Sequence, residues 1–71
     1  MATNPVDIIN AALPAEVRQA HIRERIVNLA ANGYALTLDL GVDISDEQRE
    51  ATEAQIAVIS AEIERLQSLL D

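Results

Sequence analysis

The sequence predicts an all-α fold: a short N-terminal helix followed by an antiparallel helical hairpin, with two copies dimerising into a helical bundle. Three observations predict it. Two apolar seams, one in each half of the chain, repeat in steps of three and four residues. A Ser-x-x-Gln capping signal opens the second of them. The chain has 71 residues, which is one domain (1–71), and a chain this short buries only about 60% of its unfolded surface.

The first element is a helix over 4–13. Asn4 is a good N-cap, Pro5 suits the first helical position, and Asp7 faces the positive helix end. Val6, Ile9 and Leu13 fall at helical spacing, with Ile8 and Ala12 beside them. Two turns are too few to stand without tertiary contacts.

Pro14 cannot continue that helix but can begin another, which is predicted over 14–40. Its seam is Ile22, Ile26, Leu29, Gly33, Leu36 and Leu40, stepping 4, 3, 4, 3, 4, a period of 3.5. A turn follows over 41–45. The third helix, 46–70, starts from Ser45 with Gln48 three residues on, and Asp46 and Glu47 lie at its positive end. Its seam is Ile56, Ile59, Ile63, Leu66 and Leu70. Glu50, Glu53, Ala54, Ala57, Ala61 and Glu64 lie on the opposite, solvated side.

A second reading exists for 34–44. Tyr34, Leu36, Leu38, Leu40, Val42 and Ile44 alternate with Ala35, Thr37, Asp39, Gly41 and Asp43, which is a strand period, and Asn32-Gly33 is a natural helix stop. The chain would then run helix, strand, helix, with an intermolecular strand pair. The helix is preferred because the seam keeps register across Gly33 and the alternating residues are mostly leucine. The interior glycine costs about 1 kcal/mol relative to alanine.

If 14–40 is helical, Val27, Ala31, Tyr34 and Leu38 make a second apolar stripe. A helix apolar around most of its circumference needs cover on more than one side. One neighbouring helix covers one side. The N-terminal helix folding back, giving a monomeric three-helix domain, is one solution; a second copy, giving a four-helix bundle, is the preferred one. The expected interface therefore comprises Val27, Tyr34 and Leu38 together with the seam residues Ile22, Ile26, Leu29, Gly33, Leu36 and Leu40.

Charge restricts the partners. Twelve acidic residues face five arginines and no lysine, a net charge of −7. A nucleic-acid backbone needs a basic stripe and an anionic membrane a basic face. No apolar run approaches the ~20 residues of a membrane span, and the N-terminus lacks a signal-peptide pattern. A cytoplasmic location is expected.

No enzyme chemistry is expected. His21 is the single histidine and has no sequence-evident partner, and the serines Ser45, Ser60 and Ser68 form no nucleophile–base set. There is no cysteine. The acids Asp39, Asp43, Asp46, Glu47 and Glu50 approach a calcium loop, but Gly41 stands at position 3 and Ile44 where a glycine is needed at position 6. No metal or cofactor is expected. Arg18, Arg23 and Arg25 form the one basic cluster, suited to pairing with Glu16, Glu24 or a partner's acids.

The run Tyr34-x-Leu36-x-Leu38-Asp39, the Asp46-Glu47 pair, and Ala51…Ile56…Ile59…Ile63-Glu64-x-Leu66…Leu70 resemble small helical-hairpin proteins encoded in tailed-phage genomes. The resemblance covers about residues 22–70 and departs from their usual pattern at Asn32-Gly33. It implies an accessory protein acting by protein–protein contact in the host cytoplasm, with no catalytic residues to carry over. The architecture is also similar to Rop-like dimers, but the basic, aromatic helix face of an RNA binder is missing. The expected function is thus a non-enzymatic module that binds itself and another protein, inhibiting or adapting it. Two alternatives stand beside it: an acidic nucleic-acid mimic that blocks a nuclease or a nucleic-acid-binding protein, and a nucleotide sponge with its ligand between protomers near Tyr34 and the arginines.

Overall fold

The computed structural model describes residues 4–41 and 43–70 and consists of three helices: α1 (Pro5–Ala12), α2 (Ala15–Asp39) and α3 (Asp46–Ser68). No strand occurs among the described residues. The alternation over 34–44 is therefore not a strand: α2 runs through Gly33 and Tyr34 to Asp39, while Val42 lies outside the described residues. The helix wins because its register keeps Leu36 and Leu40 on the same side as Ile22, Ile26 and Leu29, and these are half-buried together.

Each start has a local cause. The Asn4 side chain accepts from the Val6 amide at 2.9 Å, and Pro5 fills the first turn, where a missing N–H costs nothing. At α3 the capping box is complete: Ser45 Oγ accepts from the Gln48 amide and Gln48 Oε1 from the Ser45 amide, both at 3.2 Å. Pro14 does not enter α2 but stands just before it, extended at φ −59°, ψ 149°.

Neither α1 nor α2 has a basic residue in its last turn. The following helix supplies one instead. Arg18 on α2 donates to the Asn10 carbonyl at the end of α1 at 3.2 Å, and Arg49 on α3 donates to the Leu40 carbonyl at the end of α2 at 3.5 Å. Each guanidinium serves the negative end of a helix dipole and pins the joint between two elements.

The helices α2 and α3 pack as a hairpin. The core is thin. Leu66, at 4% exposure, is the one buried large hydrophobic side chain among the described residues. The other seam residues, Ile22, Ile26, Leu29, Leu36 and Leu40 on α2 and Ile56, Ile59, Ile63 and Leu70 on the α3 side, stay half-buried because two cylinders in contact shield only the line between them. No residue of α1 is buried, and Val6, Ile8 and Ile9 remain more than half exposed. The fold-back of α1 over the second stripe does not occur: the extended Leu13-Pro14 joint and the Arg18 bond send it off the open end of the hairpin.

The molecule measures 56 × 25 × 16 Å, with a radius of gyration of 16.8 Å. A compact domain of this length has a radius near 11 Å. No helix is long and apolar enough to cross a membrane among the described residues.

Candidate functional site

The elongated hairpin leaves its apolar residues on distinct surfaces. The α2 seam faces α3 and includes Gly33, whose backbone is buried against Ile59. On the other side of α2 the helical period brings Val27, Ala31, Tyr34 and Leu38 into one stripe. Val27 and Tyr34 are each 65% exposed and Leu38 is 58% exposed. The structure thus separates the nine sequence-predicted interface residues into two sets: six along the α2–α3 seam and three that stay more than half exposed.

Tyr34 joins the two sets. It stands at the edge of a shallow groove between the helices, floored by Gly33 and Ile59 and flanked by Ala30, Thr37, Ser60 and Ile63. The flanks are low because Ala30, Gly33 and Ser60 are small. Thr37 Oγ1 donates to the Tyr34 carbonyl at 2.6 Å, so the hydroxyl beside the ring is used within α2. No arginine lines this groove. Within one chain the arginines and Tyr34 therefore do not build a common nucleotide pocket.

The opposite face differs. Its α2 side is polar, with His21, Glu24, Arg25, Asn28 and Asn32 around Leu29. Its α3 side carries Val58 in a small apolar depression with Leu36, Ala54 and Gln55. Val58 is 69% exposed, and Leu69 at the open end is 54% exposed. Sequence reasoning missed both, and the signal was present: neither residue falls on the 3–4 seam of α3.

The charges are divided along the hairpin. The turn end holds Asp39, Asp43, Asp46, Glu47, Glu50 and Glu53 against Arg49 alone. The open end holds Arg18, Arg23, Arg25 and Arg65 among Glu16, Glu24, Glu62 and Glu64. Arg65 pairs in forked fashion with Glu62, its Nε lying 3.1 Å from Oε2. That hydrogen bond, with the nearby positive charges of Arg65 and Arg25, holds the Glu62 carboxyl below its ordinary range and raises Arg65.

The candidate chemical groups stand apart. No polar or charged side chain is buried among the described residues, and no three of their histidine, aspartate or glutamate side chains converge on a point suited to a metal ion. The Ser45 hydroxyl caps α3 and the Ser68 hydroxyl donates to the Arg65 carbonyl. The site is a surface of exposed aliphatic and aromatic side chains rather than a cleft. No protein family matches the chain, and no curated protein and no solved structure shows significant similarity to it.

Proposed function

We propose that this protein is a non-enzymatic interaction module that completes its core with a second copy of itself and engages another protein through apolar surface that remains. The observation that carries the reading is the burial of Leu66 alone among the large hydrophobic side chains described, while Val27, Tyr34, Leu38, Val58 and the apolar residues of α1 stay exposed. The stripe of Val27, Tyr34 and Leu38 is exposed apolar surface of the kind that marks association sites.

The resemblance to phage hairpin proteins supports a role as a phage accessory protein that inhibits or adapts a host protein in the host cytoplasm. Sedimentation equilibrium and thermal melting over a hundredfold concentration range test the self-association. A dimer whose melting midpoint rises with concentration is expected. A cooperatively folded monomer with a concentration-independent midpoint overturns the reading.

A further inference from the structure

We propose that the second copy seats antiparallel on the face of α2 that carries Val27, Tyr34 and Leu38, so that the acidic turn end of each hairpin lies along the arginine-bearing end of the other. This inference rests on the self-association reading above and adds the face and the direction.

The first argument is area. The chain exposes 5639 Å². A compact monomer of this mass exposes about 4,300 Å², so roughly 1,300 Å² is surplus, more than the ~800 Å² per partner that a stable interface takes. The stripe on α2 is the part of that surplus that is apolar and continuous with the groove beside Tyr34.

The second is spacing. Val27 and Tyr34 lie about one turn to either side of Ala31. A two-fold axis between Ala30 and Ala31 therefore sets Val27 of one copy against the partner's Tyr34, twice. The small side chains of Ala30 and Ala31 sit at the axis, where the two α2 helices come closest, and the aromatic ring gains an aliphatic neighbour.

The third is charge, and it decides the direction. Pairing about that axis brings Arg23, which stands one turn before Val27 on the same stripe, to within about one residue of the level of the partner's Asp39. Parallel pairing instead stacks both acidic turn ends together, with six carboxylates and one arginine from each copy, in a pair that already carries −7 per chain. Complementary fields fix orientation in this way even where single rim pairs contribute little.

The sequence has no cysteine, so single introduced thiols report cleanly. Ala31→Cys tests the face: under mild oxidation it is expected to give a disulfide-linked dimer that retains full helicity. A nitroxide on Glu16→Cys, an exposed position in the first turn of α2, tests the direction. At ~1.5 Å per residue it stands about 22 Å from the level of Ala31, so the antiparallel pair separates the two labels by about 45 Å and a parallel pair by under about 20 Å. Pulsed dipolar spectroscopy reads the distance. A short distance overturns the direction. A chain that sediments as a dimer while Ala31→Cys fails to link overturns the face. A monomer at every concentration overturns the self-association reading itself.

Discussion

Gly33 packs its bare backbone against Ile59 across the hairpin: a methyl group at Gly33 would meet Ile59 Cγ2 at 3.4 Å. That is the near edge of ordinary van der Waals contact. Gly33 is also in regular helix, with no positive φ to require a glycine. Gly33→Ala is therefore expected to stabilise the hairpin by up to about 1 kcal/mol, the helix-propensity gain. Gly33→Leu forces the helices apart and is expected to destabilise by about 1–3 kcal/mol. Urea denaturation of the two variants checks both signs, and an alanine that costs more than it gains would show that the helices cannot yield at this point.

Leu66 and Tyr34 are expected to fail in different ways. Leu66→Ala truncates the one buried large hydrophobic side chain among the described residues and should cost about 2–5 kcal/mol, seen as a lower melting midpoint at every protein concentration. Tyr34→Ser removes a ring that stays 65% exposed on the hairpin. It should weaken self-association about tenfold or more, with helicity recovered at higher concentration. Circular dichroism against concentration separates the two patterns.

Ser45→Ala breaks half of the capping box and leaves the Gln48 amide without its acceptor. A loss of about 1 kcal/mol is expected, concentrated in fraying of the first turn of α3. Amide hydrogen exchange at Glu47, Gln48 and Arg49 should accelerate more than exchange at Ile59 or Ile63.

Glu62 gives a pH prediction with a fixed sign. Arg65 holds its carboxyl below the ordinary value of 4.5 in the folded chain. A carboxylate depressed on folding contributes stability that is present above its unfolded value and is lost as the pH falls through its folded value. The pair is exposed and its contribution is small. A carboxyl-carbon NMR titration should find the Glu62 midpoint below 4.5, moving up in Arg65→Gln.

Much of the fold could be read in the residues because its causes are local. Asn4 before Pro5 and Ser45 before Gln48 each carry their own hydrogen bond, and both helices begin where those caps put them. The seam from Ile22 to Leu40 resolved the contest between strand and helix at Tyr34, since only a helix keeps Leu36 in line with Gly33 against Ile59. What was not legible depends on contacts across the sequence. The outward course of α1 is set by Arg18 reaching back eight residues to Asn10. The stripe of Val27, Tyr34 and Leu38 was visible as surplus, and these three side chains stay more than half exposed on the hairpin.

The joint between α2 and α3 is only a few residues long and is tied by Arg49 to the Leu40 carbonyl. Such a connection gives the hairpin a low contact order, so its two arms can zip together within microseconds to milliseconds of collapse. Meeting a second molecule is slower at low concentration and scales with the square of the amount present. On the proposed self-association, closure of the hairpin would precede the meeting of two copies, and concentration would set the rate of the second step alone.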